Sequence, residues 1–305
     1  MGLREAVGKH YSEVLSTIKM LDIEERFDLY FSRFFGLFFA KAGRSFGLTP
    51  TQVSVISLVI GIVGGGLLYY QEFWKITLIG SLFITIAGVL DSADGQLARM
   101  TGQSSETGRI IDGLIDNLVF ASCYVGGTIY FIDEYNYLVL VVAILAGIAH
   151  SLKSAQYEFD KTEYLYFAGP FESARIAYPE EIKDQIASEK SLFKRLLNYT
   201  YLDYTARQFR LSTRTRELRD RFGDLAYDKK TQHAFTTSYK RLNHPLLFWW
   251  ALICGSNTHR SLIMISSLLG RFDVYLIISI ITIIPMLVIN QQQKKIDSEL
   301  EREFL

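Results

Sequence analysis

Residues 52–70, QVSVISLVIGIVGGGLLYY, contain no charged side chain. A helix needs about 20 mostly apolar residues to cross the hydrocarbon core of a bilayer, and a run of this kind has few other destinations. Further apolar segments follow at about 74–99, 108–132, 136–156 and 274–290. Another, at about 244–270, is interrupted by the polar string Gly255-Ser256-Asn257-Thr258-His259-Arg260. Inside hydrocarbon every backbone N–H and C=O must be satisfied within the protein. With only 5 prolines in 305 residues, long helices meet that demand better than many short strands. The sequence predicts an all-α, polytopic membrane protein with six transmembrane helices.

Lysine and arginine in the flanking loops set the orientation of such a protein. The first 50 residues carry Arg4, Lys9, Lys19, Arg26, Arg33, Lys41 and Arg44, whereas residues 133–136, between spans three and four, carry none. Lys294, Lys295 and Arg302 follow the last span. Both termini are therefore expected on the cytoplasmic side. Residues 24–44, EERFDLYFSRFFGLFFAKAGR, repeat Phe27, Phe31, Phe34 and Phe38 at helical spacing with Arg33 and Lys41 between them. That pattern predicts an N-terminal amphipathic helix lying in the membrane interface.

Residues 160–243 form a polar insertion between spans four and five. Pro179 opens an amphipathic helical pattern there, and Arg207, Arg210, Arg214 and Arg216 are expected on a solvated face. The expected division is 1–47 (N-terminal cytoplasmic segment and interfacial helix), 48–159 (spans one to four), 160–243 (helical cytoplasmic insertion), 244–292 (spans five and six) and 293–305 (cytoplasmic tail). The formal net charge is zero, so no global field favours nucleic acid. Two cysteines, Cys123 and Cys254, both in apolar stretches, suggest neither a disulfide framework nor a zinc site.

One stretch conflicts with burial in a bilayer. LDSADGQLARMTGQSSETGRIIDGLIDN, residues 90–117, holds Asp91, Asp94, Asp112 and Asp116. A carboxylate near the centre of a span costs roughly 2.5 to 3.5 kcal/mol. Asp91 and Asp94 are three residues apart and share a helix face, with Gly95 and Ala98 continuing it. Gly108, Asp112 and Asp116 form a stripe at four-residue spacing on the next helix. The connection near 101–105 is short, so the two helices are antiparallel neighbours and all four carboxylates can converge. Four anions need neutralising charge, and hard divalent cations prefer carboxylate oxygen. One or two Mg²⁺ ions would suit the set. Such ions bridge phosphates and stabilise displacement at phosphorus. Gly95, Ala98 and Gly108 leave room for a ligand, and Arg99 can complement its charge.

Asp91-x2-Asp94-Gly95-x2-Ala98-Arg99-x8-Gly108-x3-Asp112-x3-Asp116 resembles the signature of the CDP-alcohol phosphotransferase family. The six-span plan and the interfacial helix resemble that family too, over about 45–160 and in outline over 244–292. Thr51 stands where the family often has Asn. The resemblance implies transfer of a phosphoalcohol group, with CDP-diacylglycerol as the expected donor, to a hydroxyl acceptor, with release of CMP in phospholipid synthesis. It implies that Asp91, Asp94, Asp112 and Asp116 hold Mg²⁺ or Mn²⁺, two ions being expected. Asp116 would also be the general base, and Gly95, Ala98, Arg99 and Gly108 would line the nucleotide site. The partners it implies are a CDP-linked lipid donor, a small polar alcohol, membrane lipids and a second copy of the chain.

Polar groups near spans four and five are candidates for holding the acceptor: His150 and Lys153 on one, Asn257, His259 and Arg260 on the other. An ionisable residue inside a span is a functional candidate by default. Counted from His244, however, the second group lies about 20 Å along a straight helix at ~1.5 Å per residue, deeper than the aspartates. Two other readings stand beside the main one. A CDP-choline or CDP-ethanolamine phosphotransferase acting on a lipid alcohol would use the same motif. A divalent-cation transporter would use the same carboxylates, but the sequence lacks the paired repeats common in transporters.

Overall fold

The structure is a computed structural model that describes residues 3–169 and 176–305, with side chains described from residue 8 onward. Every regular element among the described residues is helical. Five helical stretches are long and apolar enough to cross a membrane: Pro50–Tyr70, Trp74–Thr101, Glu106–Ile129, Leu138–Ala168 and Phe272–Phe304. The chain is thus an integral membrane protein by the length and composition of its helices. The stretch expected as a sixth crossing, 244–270, is covered by two helices that meet at Gly255, whose backbone is extended, so the count of six is not confirmed. Neither piece has the length and apolarity of the other five. The residues divide into two compact units that interleave along the chain.

The first unit comprises 1–19, 24–147 and 260–277. It opens with α1 (Leu3–Ser16), which the sequence pattern does not announce. The expected interfacial helix over 24–44 begins as a π-helical turn at Asp28–Ser32 and continues as α2 (Arg33–Ser45). Phe27 and Phe38 face outward, as the spacing predicts, while Phe31 and Phe34 are half-buried. Phe34 sits edge-on to His10 of α1, with centroids 4.6 Å apart. Arg33 is tied to Glu24 by two hydrogen bonds of 2.6 and 2.7 Å, and Lys41 pairs with Glu13. The two cations that interrupt the aromatic run are thereby neutralised within the unit.

A capping box starts α3 (Pro50–Leu67). Thr49 Oγ1 accepts from the Gln52 N–H, Gln52 Oε1 accepts from the Thr49 N–H, and Pro50 takes the first helical position, where its missing N–H costs nothing. A 3₁₀ turn over Leu68–Tyr70 extends it. Then come α4 (Trp74–Thr101), α5 (Glu106–Ile129), the single turn α6 (Ile132–Tyr135) and the start of α7 (Leu138–Ala168). Small residues let helix backbones approach closely in a membrane, where no hydrophobic force drives them together. A Cβ on Gly65 of α3 would lie 2.7 Å from the Cys123 backbone nitrogen on α5. Ser57 Oγ donates to the Ala87 carbonyl oxygen across α3 and α4 at 2.8 Å. The opposite faces leave Val55, Val59, Ile62, Leu82 and Ile86 exposed. In water such a surface would be an aggregation hazard; against lipid tails it is the expected one.

The second unit comprises 20–23, 148–259 and 278–305. It contains most of α7, then α8 (Pro179–Ser188), α9 (Leu192–Leu211), α10 (Arg216–Tyr227), α11 (Gln232–Cys254) and the first turn of α12 (Ser256–Leu268). The end of α13 (Phe272–Ile281) and α14 (Ile283–Phe304) complete it. Tyr164 and Phe167 from α7, Phe222 from α10, Phe235 and Tyr239 from α11 and Leu300 from α14 form its apolar core.

Beside that core runs a buried ionic network that the sequence does not reveal. Arg214, expected on a solvated face, is 5% exposed. Its guanidinium bonds Glu163 Oε2 at 2.5 Å and Asp297 Oδ1 at 2.8 Å, and reaches Asn243 Oδ1 at 3.4 Å. Arg219 holds the other oxygen of Glu163 at 2.5 Å. Gln293 links Asn243 to Asp297. Arg207, by contrast, pairs with Asp203 on the surface, and Arg216 lies exposed near Glu180. Removing one member of a buried ion pair strands the other charge and costs about 3–5 kcal/mol. Arg214→Ala is expected to lower stability by about that much, read as a loss of thermal unfolding temperature in detergent. Arg216→Ala, at the surface, is expected to leave it within ~0.5 kcal/mol.

Candidate metal and phosphate site

The site belongs to the first unit and is built by α3, α4, α5 and Arg260 of α12. Helix α4 ends at Gly102, which adopts a left-handed conformation (φ 67°) that ends the helix. Ser105 then caps α5, its hydroxyl accepting from the Gly108 N–H at 3.0 Å. The tight reversal expected near 101–105 therefore exists, and it brings the two aspartate-bearing faces together. Asp91, Asp94 and Asp112 each offer a carboxylate oxygen within 4.8 Å of the others. Asp94 is buried, while Asp91 and Asp112 are half-buried. Three carboxylates this close repel one another by roughly 3 kcal/mol per pair at an effective dielectric of ~20. An all-oxygen donor set so charged fits a hard divalent cation.

Asp94 has a further partner. Ser54 Oγ on α3 donates to its Oδ2 at 2.5 Å, fixing the carboxylate from outside the cluster, as supporting groups around metal ligands do. Ser54 gave no signal in the sequence, because a serine in an apolar run is equally at home bonding its own helix. It does that too, reaching the Pro50 carbonyl oxygen at 3.1 Å.

Asp116 lies one turn beyond Asp112 and faces a cation. Arg260 Nη2 stands 3.9 Å from Asp116 Oδ1, and the same guanidinium lies 5.9 Å over the Phe120 ring. The chain breaks at Gly255, so the straight-helix count from His244 does not apply to Arg260. Arg260 sits in the first turns of a new helix, not 16 residues along a straight one. Gly88 on α4 completes the arrangement, since a Cβ there would collide with the Arg260 guanidinium. Gly88 is three residues before Asp91 on the same face, a relation visible in the sequence only once its partner is known.

The other expected nucleotide residues lie on the same two helices, Gly95, Ala98 and Arg99 on α4 and Gly108 on α5. The Arg99 guanidinium nitrogens lie 3.6 Å from where a Gly95 Cβ would be, so this glycine faces the arginine. Ala98 is half-buried and Arg99 exposed.

The remaining expected acceptor residues fall in the second unit, with partners of their own. Lys153 is fully buried and donates to the Ser279 carbonyl oxygen at 2.8 Å and to Thr282 Oγ1 at 2.5 Å. It satisfies the backbone where α13 gives way to α14. His150 and His259 are buried and stacked, with centroids 4.1 Å apart. Asn257 lies in the first turn of α12. These bonds give Lys153 a structural role.

Among the described residues, helices long and apolar enough to cross a membrane bring three carboxylates together near an Asp116–Arg260 pair, a donor set that fits a metal ion. Residues 48–159 match the family model described as CDP-alcohol phosphatidyltransferase. Over that stretch the chain is similar to the CDP-alcohol phosphatidyltransferase family. It is 33% identical over 86 residues to archaetidylinositol phosphate synthase of Pyrococcus horikoshii, covering 28% of this chain and 44% of that protein. It is 30% identical over 91 residues to phosphatidylinositol phosphate synthase of Streptomyces avermitilis, covering 27% and 35%. A bifunctional IPC transferase and DIPP synthase of Rubrobacter xylanophilus is 33% identical over 69 residues, covering 23% and 15%. The chain thus spans less than half the length of these curated relatives. No solved structure matches it.

Proposed function

We propose that the protein transfers a phosphatidyl-type group from a CDP-linked lipid to the hydroxyl of a phosphorylated polyol, with release of CMP. The acceptor we favour is an inositol phosphate, the chemistry named in two of the relatives. The observation that carries the reading is the convergence of Asp91, Asp94 and Asp112 beside an Asp116–Arg260 pair. Asp91, Asp94 and Asp112 hold the divalent ions, Mg²⁺ or Mn²⁺, with Ser54 fixing Asp94. A bound ion supplies charge neutralisation for the diphosphate and its leaving CMP. Gly95, Ala98, Arg99 and Gly108 line the nucleotide. Asp116 accepts the proton of the acceptor hydroxyl as its oxygen bonds to the lipid-linked phosphorus and the bond to the CMP oxygen breaks. Arg260 positions the Asp116 carboxylate and offers the acceptor phosphate a cation. By the lysine and arginine distribution, the site and both termini face the cytoplasm.

The test is Mg²⁺-dependent CMP release by purified protein, supplied with CDP-diacylglycerol and a panel of inositol phosphate, inositol, glycerol phosphate and serine. Release with inositol phosphate supports the proposal. Release only from CDP-choline or CDP-ethanolamine with diacylglycerol would reverse donor and acceptor. No release with any pair, from folded protein that binds Mg²⁺, would favour a cation transporter.

Gly88→Ala offers a finer check. The new methyl group meets only the flexible end of Arg260, so the fold should tolerate it. The guanidinium must move, and misplacement by ~1 Å in an active site can cost about a hundredfold. The variant is expected to unfold at the wild-type temperature but to turn over about ten- to a hundredfold more slowly.

A further inference from the structure

The first two turns of α9 expose an apolar edge with nothing described packed upon it. Leu192 is 80% exposed, Phe193 64%, Leu196 64% and Tyr199 51%. These positions fall within about 120° of the helix circumference at ~100° per residue. The opposite side is used, with Leu197, Thr205 and Gln208 buried in the second unit. Lys190, just before the helix, and Lys194 and Arg195 in its first turn are exposed; at ~100° per residue Arg195 flanks the apolar edge. An aromatic and aliphatic edge beside a cluster of cations is the make-up of a helix lying in a lipid interface.

The depth of α9 supports that occupant. Arg207 Nη1 donates to Ser151 Oγ at 2.6 Å, Gln208 Nε2 donates to the Ala155 carbonyl oxygen at 3.2 Å, and Phe209 meets Phe159 at 5.2 Å between centroids. All three partners are on α7, which begins at Leu138. At ~1.5 Å per residue, Ser151 and Phe159 lie about 20 and 32 Å along that helix. A hydrocarbon core of ~30 Å beginning near Leu138 ends between them. The C-terminal end of α9, Arg207–Phe209, is therefore moored at the level where α7 leaves the membrane, and the exposed edge at 192–199 extends from that mooring.

We infer that the N-terminal half of α9 is an in-plane membrane anchor: Leu192, Phe193, Leu196 and Tyr199 insert into the lipid interface, and Lys190, Lys194 and Arg195 engage anionic headgroups. The anchor ties the polar insertion to the bilayer at a second point, independently of the spans. It lies outside the stretch that matches the family model and does not depend on the transferase reading.

The test uses full-length protein in nanodiscs, with an environment-sensitive fluorophore at Leu196→Cys or, for comparison, at the exposed Lys183→Cys on α8. The native thiols of Cys123 and Cys254 are buried, and unmutated protein measures any residual labelling. The probe at 196 is expected to emit at shorter wavelength, to be quenched by headgroup-proximal spin-labelled lipid, and to lose access to an aqueous quencher. The probe at 183 should do the reverse. Replacing Lys190, Lys194 and Arg195 with Glu should reduce lipid quenching at 196 in discs containing phosphatidylglycerol. Equal aqueous quenching at both positions would overturn the anchor. Shielding at 196 without lipid quenching, together with a doubled mass in detergent, would assign the surface to a second copy of the chain instead. An unchanged response in the triple-Glu variant would remove the headgroup role.

Discussion

Asp91→Asn is expected to abolish turnover without unfolding the protein. The substitution keeps the side-chain volume and removes one of three anions that lie within 4.8 Å of one another. Metal-based charge stabilisation supplies several kcal/mol at a phosphoryl transition state, and losing about 4 kcal/mol slows a reaction roughly a thousandfold. Asp94→Asn and Asp112→Asn should do the same. In metal-free protein the sign for stability is opposite. The remaining pair repels less than the original three, so thermal unfolding should occur at the same temperature or higher. The combined readout is CMP release, Mg²⁺ affinity by calorimetry, and unfolding temperature in chelator and in excess Mg²⁺. Wild-type protein should gain stability on adding Mg²⁺, through selective binding to the native state, and the variants should not. Normal turnover in any of the three would remove the carboxylate cluster from the chemistry.

Asp116→Asn should separate binding from reaction. Its carboxylate faces Arg260 at 3.9 Å, one helical turn beyond Asp112. As a general base it contributes about 10²–10⁴ in rate. The variant is expected to bind Mg²⁺ and the CDP-linked donor with near wild-type affinity and to lose turnover by that factor. Binding of a non-reacting donor analogue and single-turnover CMP release measure the two halves. Loss of donor affinity with the rate would make Asp116 a metal ligand foremost, and unchanged turnover would end its role as base.

The aspartate site was legible because its geometry is local. Two helix faces and one short reversal bring Asp91, Asp94 and Asp112 together, and residue spacing reports all three features. Arg260 was legible as an ionisable group in an apolar segment, but its reach was not. A straight-helix count from His244 does not apply to it, because the chain breaks at one extended backbone residue, Gly255. Gly88 and Ser54 were missed because their roles consist of contacts with other helices, Arg260 for one and Asp94 for the other. Arg214 shows the limit most plainly. Its neighbours in sequence are polar and charged, so a solvated face was expected. Its actual partners, Glu163, Asn243 and Asp297, come from three distant helices, and no periodicity links them. The count of six crossings stays unconfirmed, because 244–270 divides into two helices at the polar string already visible in the sequence.

The lengths of α7 and of the last apolar stretch carry a consequence for how the chain is made. At ~1.5 Å per residue, Leu138–Ala168 spans about 46 Å and Phe272–Phe304 about 50 Å, against a hydrocarbon core of ~30 Å. Each must therefore project well beyond the lipid. Tyr164 and Phe167 on the first, and Leu300 on the second, are walls of the apolar core that also contains Phe222 and Phe235 from the insertion. Asp297, which neutralises Arg214, lies on the second as well. During synthesis the whole insertion leaves the ribosome before α14 exists. Until α14 arrives, Arg214 has Glu163 but lacks its second counter-charge, Asp297, and the aromatic core lacks a side. The polar part of this protein cannot mature ahead of its membrane part, and residues 176–254 produced alone would be a chain waiting for two helices that a soluble fragment does not have.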